Sequence, residues 1–76
     1  MPRPTDDELA ERLRAACQQV PPGTAWLHHR GRAAKVLTVT LDEATLEPLV
    51  VYVEPGASVR WARTLADFLA RFTRKV

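Results

Sequence analysis

The sequence lacks the features that usually cross-link a small protein or anchor it in a membrane. Cys17 is its single cysteine, so an internal disulfide and a zinc site built from cysteines are both excluded. The three glycines are scattered one by one, which excludes a glycine-rich phosphate loop. No segment approaches the roughly 18 apolar residues of a membrane span, and the N-terminus has no apolar run of signal-peptide length. We therefore expect a cytoplasmic protein that does not contact a membrane.

The net charge is also small, and the charged residues are unevenly distributed. The formal net charge of +2 is too small to predict nucleic-acid binding by itself. Residues 1–20 carry three arginines against four acidic residues, whereas residues 55–76 carry five basic residues against Asp67 alone. The C-terminal excess could attract an anionic partner, or it could belong to a solvated helix end whose dipole favours basic residues.

The length of 76 residues allows a single domain. A core of this size usually supplies only about 3–5 kcal/mol of net stability, so association into a homodimer is a reasonable hypothesis. The chain has no internal repeat, no low-complexity segment and no long linker.

An amphipathic helix is predicted over residues 5–19. Thr5 followed by Glu8 matches the capping-box pattern of a helix start. The apolar residues at helical spacing are Leu9, Leu13, Ala16, Cys17 and Val20. The Pro-Pro-Gly segment at 21–23 ends the helix.

Alternating apolar and polar residues predict strands after this point. Segments 26–29 and 33–41 are interpreted as two strands joined by a turn at Arg30 and Gly31. One face of the second strand is expected to carry three apolar residues, Leu37, Val39 and Leu41.

A second hairpin is predicted further along the chain. Residues 49–54 are apolar on both faces except at the final Glu54, which is typical of a central strand covered on both sides. Pro55 suits the second position of a type II turn, and Gly56 supplies the positive φ that the third position needs. A strand at 58–62 is then expected to pair with the strand before it.

A short helix over residues 64–74 completes the predicted fold. Thr64 and Asp67 form a variant of the capping box, and apolar residues follow at helical spacing. The expected fold is mainly β, of the α+β class, with about four antiparallel strands over residues 23–62 between an N-terminal and a C-terminal helix. A strongly bent sheet of this size predicts a small open barrel.

Several motifs between residues 23 and 72 resemble a known family. The motifs are Trp26-x-His28-x-Arg30-Gly31, then Thr45-x-Glu47-Pro48-Leu49-Val50-Val51-Tyr52, then Trp61-x-Arg63-x-Leu65-x-x-Phe68. In this order and nearly this spacing they are similar to the small bacterial domains of domain-of-unknown-function family 1653. The resemblance implies an SH3-like barrel. It implies no activity, because the family has none assigned.

The chain also departs from the family pattern. Arg30 stands where the family usually has lysine, and Asp42 stands at the place of its usual histidine between strands. Thr64 replaces the proline of the family's Trp-x-Arg-Pro motif. The N-terminal helix lies outside the pattern, and we expect it to act in oligomerisation or as a lid.

Patterns typical of catalysis or metal binding are not found. His28 and His29 are adjacent on a strand and point to opposite faces, so they cannot share a metal in the ordinary way. Ser58 has no nucleophile-elbow context, and Asp42 and Glu47 are most simply solvated turn residues. We expect no enzymatic activity, no metal and no cofactor. A hydrolase would require Asp42 and Glu47 to be paired in one cleft.

Large side chains with polar tips favour a binding function instead. The candidate ligand-binding residues are Trp26, His28, Glu47, Tyr52, Arg60, Trp61 and Arg63. Trp61 and Arg63 share one face of a strand, so this guanidinium is expected near an indole, where it could bind a carboxylate or another anion. In the structural alternative Trp26 and Trp61 fill the core. Arg63 then pairs with Glu47.

The expected function is a non-catalytic binding or interaction module whose partner is a protein or a small anionic ligand. The alternative is binding of nucleic acid or a nucleotide. The chain has nine arginines and two lysines, and arginine suits planar recognition of phosphate. The residues of that surface would be the aromatic side chains together with Arg60, Arg63, Arg71 and Arg74.

Overall fold

The computed structural model describes residues 3–75 as two helices and five strands. In chain order the elements are α1 (Asp6–Gln19), β1 (Ala25–His28), β2 (Ala33–Leu41), β3 (Pro48–Val53), β4 (Arg60–Thr64), α2 (Leu65–Arg71) and β5 (Phe72–Arg74). The strands form one sheet in the order β4-β3-β2-β1-β5, and every neighbouring pair is antiparallel. None of the helices within residues 3–75 is long and apolar enough to span a membrane.

The first helix begins and ends as its sequence predicts. The Thr5 hydroxyl accepts a hydrogen bond from the Glu8 amide at 3.1 Å, and the Glu8 carboxylate accepts one from the Thr5 amide at 3.0 Å. This reciprocal capping box satisfies two amides that the helix itself cannot pair. At the other end Ala16 and Val20 are buried in the core, so α1 packs against β2 and β3 as part of the domain.

Strand β2 contains a bulge that the alternation of residues did not predict. Val36 pairs with Tyr52 and Thr38 pairs with Val51, so Leu37 is the extra residue between the two pairs. One extra residue reverses which side chains face the core. The expectation that Leu37 shares the buried face of Val39 is therefore wrong, and Val36 occupies that face instead.

The C-terminal helix is shorter than predicted. It ends at Arg71, and Phe72 has extended dihedral angles (φ −118°, ψ 145°). Residues 72–74 form β5, which pairs with β1 in the register Trp26 to Arg74 and His28 to Phe72. The helical spacing of Phe72 was a reliable sign of its burial but not of its backbone conformation, because β1 offers unpaired backbone groups with which an adjacent strand can form hydrogen bonds.

The sheet is strongly curled. The rings of Tyr52 on β3 and Phe72 on β5 lie 5.3 Å apart, although two strands separate β3 from β5. In a flat sheet these strands would be about 14 Å apart, because neighbouring strands are spaced by about 4.8 Å. The concave face and the inner sides of both helices enclose a core of Ala16, Val20, Trp26, Ala34, Val36, Val39, Val50, Tyr52, Phe68 and Phe72.

The α+β class and the antiparallel sheet are thus confirmed, with five strands instead of about four. The sheet is not closed, because β4 and β5 form its two edges and are joined through α2.

Candidate functional site

A cavity of about 170 Å³ opens at one end of the concave face. Its wall combines aromatic rings with basic side chains and a single carboxylate. The lining residues are His28, Arg32, Ala33, Ala34, Tyr52, Glu54, Trp61, Arg63 and Phe72. We call this space the aromatic cavity.

Strand pairing brings the aromatic side chains of the cavity together. Tyr52 and Trp61 are directly opposite each other on β3 and β4, and His28 is opposite Phe72 on β1 and β5. Paired residues of antiparallel strands share one face of the sheet, so all four project from the concave side. Trp61 is 52% exposed on the edge strand β4. The cavity therefore has an accessible indole on its rim.

Arg63 is held in a fixed position beside these rings. Its Nε donates to the Tyr52 hydroxyl at 3.0 Å, and its Nη1 donates to Asp67 at 2.6 Å. The same Asp67 carboxylate accepts a hydrogen bond from Arg71 Nε at 2.9 Å. These hydrogen bonds raise the pKa of Arg63 and lower the pKa of Asp67. Both groups are consequently charged at neutral pH.

His28 is the most buried polar side chain of the site, with 5% of its surface exposed. Its Nδ1 accepts a hydrogen bond from the Arg30 amide at 3.1 Å, so the neutral ring carries its hydrogen on Nε2. Burial, followed by the nearby charges of His29, Arg32, Arg63 and Arg30, lowers the pKa of His28. The imidazole is therefore neutral at pH 7, with one N–H able to donate.

A second concavity, of about 240 Å³, adjoins the aromatic cavity. It is lined by His28, His29, Arg30, Arg32, Arg63 and Arg71, and we call it the basic hollow. The two spaces share three residues, which are His28, Arg32 and Arg63.

The turn between β1 and β2 forms one side of the basic hollow. Gly31 has φ +92°, a conformation that side chains with a Cβ rarely adopt, and its amide donates to the His28 carbonyl at 2.7 Å. The His29 amide donates to the Arg71 carbonyl at 3.0 Å, which attaches the turn to the end of α2. These contacts place the arginines of the turn opposite Arg63 and Arg71.

Four of the candidate residues named from the sequence lie together in the aromatic cavity, namely His28, Tyr52, Trp61 and Arg63. Trp26 does not line it: this ring is 5% exposed in the core, where its Nε1 donates to the Thr24 hydroxyl at 2.9 Å. Arg60 is next to Trp61 on β4 and so faces the other side of the sheet. Glu47 precedes β3, about 16 Å of extended chain from Tyr52 at about 3.3 Å per residue.

The structural alternative, in which Trp26 and Trp61 fill the core and Arg63 pairs with Glu47, is correct only for Trp26. Trp61 is exposed, so it does not fill the core. Arg63 pairs with Asp67, four residues along the chain, and not with Glu47. The Asp42 carboxylate accepts hydrogen bonds from the Ala44 and Thr45 amides within its own loop. Neither Asp42 nor Glu47 lines the cavity or the hollow.

Sequence reasoning did not select several residues that line these spaces. Arg30 and Arg32 alternate with His28, which was a usable signal for their position near it. No comparable signal existed for Glu54 and Phe72, because their place in the cavity depends on the curl of the sheet. Among residues 3–75 no group of three or more His, Cys, Asp or Glu side chains could hold a metal ion.

Comparison with known proteins found no match for this chain. No family model matches the sequence, and neither a curated protein nor a solved structure matches it.

Proposed function

We propose that this protein is a non-catalytic binding module whose aromatic cavity takes an anionic group of a small ligand or of a partner protein. The observation that carries the proposal is the fixed guanidinium of Arg63 beside the exposed indole of Trp61. Both residues line the same cavity.

Preorganisation supports this role for Arg63. Two hydrogen bonds already restrict its side chain, so little further conformational entropy is lost when a ligand binds. An arginine with free N–H groups recognises a carboxylate or phosphate through directional hydrogen bonds. The rings of Tyr52, Trp61 and Phe72 provide the apolar wall that small-ligand sites usually have.

The size of the cavity narrows the choice of ligand. Its volume of about 170 Å³ is below the roughly 300–1,000 Å³ of sites for drug-sized molecules. It suits one ring or one side chain, such as an anchoring residue of a partner protein or the ring of a small anionic compound.

The proposal includes the SH3-like barrel that the family resemblance implies. We infer that the curled sheet is a small SH3-like barrel that is left open between β4 and β5. In support of this, the Arg63 guanidinium on one edge strand lies 5.9 Å from the ring centre of Phe72 on the other. The edges of a flat five-stranded sheet would be about 19 Å apart at about 4.8 Å per strand. Membership of family 1653, a cytoplasmic location and a homodimer stay predictions.

The test uses the fluorescence of Trp61, because Trp26 is buried away from the cavity. Purified protein is titrated with benzoate, nucleoside monophosphates and a short single-stranded oligonucleotide, at low and at high salt. We expect at least one probe to give a saturable change that disappears in Trp61→Phe. The affinity should fall about tenfold in Arg63→Gln, the loss of one charged hydrogen bond.

Arg60→Gln is the matched control, because it removes the same charge from the same strand on the opposite face. Its affinity should equal that of the wild type at each salt concentration. An equal loss in Arg60→Gln and Arg63→Gln would indicate general electrostatic attraction and contradict the proposal. So would a complete lack of response to every probe in a protein shown to be folded.

Binding of single-stranded nucleic acid is the second candidate function. The observation that favours it is an exposed indole on an edge strand beside Arg32 and Arg63, which is the arrangement of a base-stacking platform in a basic groove. Affinity should then increase with oligonucleotide length and weaken steeply with salt, since phosphate contacts release counterions. Equal affinity for a mononucleotide and an oligonucleotide would favour the small-ligand function instead.

A further inference from the structure

The basic hollow brings several basic side chains together. Its wall contains four arginines and two histidines, and no carboxylate is part of the wall. Like charges that are held together destabilise a fold unless an anion offsets their repulsion. A bound anion would reduce the repulsion between these arginines.

Carboxylates near the hollow balance only part of its charge. Asp67 forms ion pairs with Arg63 at 2.6 Å and with Arg71 at 2.9 Å. The other ion pair of a hollow arginine joins Arg32 to Glu54 at 3.8 Å, and both of these side chains are substantially exposed. Within residues 3–75 the four guanidinium groups thus meet two carboxylates, which leaves two positive charges in excess. This excess equals the charge of a phosphoryl dianion.

We propose that the basic hollow binds the phosphoryl group of a phosphomonoester, between the arginines of the β1–β2 turn and those of β4 and α2. The site would be completed by His28, whose ring lines the hollow as well as the aromatic cavity.

The donors of this site are side chains and not backbone amides. The amides of His28, His29, Arg30 and Gly31 already donate within the turn, to α2 and to the His28 ring. In Arg63 and Arg71 the hydrogen bonds to Tyr52 and Asp67 leave further guanidinium N–H groups free. The nitrogen atom His28 Nε2 makes none of the hydrogen bonds found within residues 3–75, and it carries the hydrogen of the neutral ring.

These donors approach from two sides. Arg30 and Arg32 belong to the turn, whereas Arg63 and Arg71 belong to the strand and helix that face it. A tetrahedral phosphoryl group offers three terminal oxygens in different directions and can accept from both sides at once. A carboxylate is planar, has two oxygens and carries half the charge of a phosphoryl dianion, so it matches this arrangement less well.

This inference deepens the proposed function and rests on it, because the hollow and the aromatic cavity share three residues. A ring in the aromatic cavity and a phosphoryl group in the hollow would belong to one ligand. The ligand class is therefore an aromatic phosphomonoester or a phosphate ester with an aromatic base.

The experiment compares inorganic phosphate, phenyl phosphate and benzoate as probes of the full chain at constant ionic strength, with chloride as the balancing anion. Two-dimensional amide NMR follows residues 28–32, and Trp61 fluorescence follows the aromatic cavity. We expect phosphate to shift the turn amides saturably and phenyl phosphate to bind more tightly than phosphate or benzoate. Phenyl phosphate should also change the Trp61 fluorescence.

Arg30→Gln is the main variant, because Arg30 lines the hollow only and has no ion pair within residues 3–75. Its affinity for phosphate should be about tenfold weaker, which corresponds to one lost charged hydrogen bond. Its affinity for benzoate should be unchanged. Arg60→Gln again serves as the control of equal charge, and its amide spectrum should show wild-type phosphate binding.

The possible results separate this inference from the proposed function. If benzoate changes the Trp61 fluorescence but phosphate shifts no turn amide beyond the effect of chloride, the phosphoryl site is overturned and the proposed function stands. Equal phosphate affinity in Arg30→Gln and the wild type also overturns the site. If phosphate binds at the turn while no ring-bearing probe affects Trp61, the proposed function is overturned and only the phosphate site is supported.

Discussion

Phe68 shows how much the small core depends on single residues. It is completely buried, and its ring lies 4.3 Å from that of Phe72, 5.2 Å from Trp26 and 5.5 Å from Tyr52. Aromatic pairs at these distances add to the stability that burial alone provides. Two of these rings also form the wall of the aromatic cavity, so core packing and site geometry depend on the same side chain.

Replacing Phe68 by alanine should leave the protein largely unfolded at 25 °C. A buried Phe→Ala change costs about 3–5 kcal/mol, which is as large as the net stability expected for a core of this size. Urea unfolding followed by circular dichroism measures this loss. Leu69→Ala is the matched control, since Leu69 is the next residue and is 38% exposed, and its cost should stay below about 1 kcal/mol. A cooperative unfolding transition of wild-type midpoint in Phe68→Ala would show that Phe68 is not central to the core.

His28 should make the stability of the protein depend on pH. The unfolded chain protonates its histidines near their usual pKa of about 6.5, whereas the folded state holds the pKa of His28 lower because the ring is buried near positive charges. Below about pH 6.5 the unfolded state therefore binds more protons, and stability falls as pH decreases until His28 in the folded state also protonates.

Urea midpoints between about pH 7 and pH 5 measure this effect, since histidine titrates in this range. His28→Asn should show a smaller fall than the wild type, because its side-chain oxygen can still accept from the Arg30 amide without titrating. His29→Gln removes a neighbouring charge that contributes to the lowered pKa of His28, so it should also show a smaller fall than the wild type. Identical pH profiles for the wild type and His28→Asn would show that His28 does not cause the pH dependence of stability.

At the level of secondary-structure elements, the start of α1 is determined by neighbouring residues, whereas the bulge in β2 is determined by distant ones. The start of α1 depends on Thr5 and Glu8, which are three residues apart and interact directly. The bulge at Leu37 depends on the pairing of β2 with β3, so it is determined by residues that lie far apart in the sequence. Elements of the first kind are well predicted from the sequence, and elements of the second kind are not.

Thr5→Ala should destabilise the protein by about 1 kcal/mol, the usual effect of losing an N-cap side chain. The Glu8 amide then loses its partner, and the first turn of α1 should fray. The measurement combines urea unfolding with amide hydrogen exchange at residues 6–9. Thr5→Ser is the control and should retain most of the stability, because serine caps a helix as well as threonine. Equal stability of Thr5→Ala and Thr5→Ser would show that the cap contributes little.

At the scale of the whole molecule, α1 acts as part of the core. Ala16 and Val20 are fully enclosed, and Leu13 and Cys17 pack against the buried cluster from the same helix. Burial of an aliphatic side chain stabilises a fold by about 1.5–3 kcal/mol. Several such side chains together exceed the net stability that so small a domain retains.

We therefore predict that residues 21–76 alone do not fold. Amide NMR of this fragment should show the narrow dispersion of an unfolded chain. Addition of a synthetic peptide of residues 1–20 should restore dispersion at high peptide concentration, which controls for damage during preparation. A dispersed spectrum of the fragment alone would instead agree with the lid or oligomerisation role expected for this helix because it lies outside the family pattern.

The sequence by itself determined the features that depend on neighbouring residues. It located α1, the turns at Gly31 and Gly56 and the start of α2 correctly, because capping hydrogen bonds and positive φ angles arise within a few residues. It also indicated His28, Tyr52, Trp61 and Arg63 as binding candidates, since their side-chain chemistry can be recognised without knowledge of the fold.

Only the tertiary structure decided how these residues meet. The bulge in β2, the pairing of β5 with β1 and the curl of the sheet all come from contacts between distant segments. The pairing of β5 with β1 brings Arg30 and Arg71 to one hollow, and the curl places Arg63 5.9 Å from the Phe72 ring. Such contacts depend on loop closure and on the packing of the whole core, and neither of these is encoded in any short stretch of sequence.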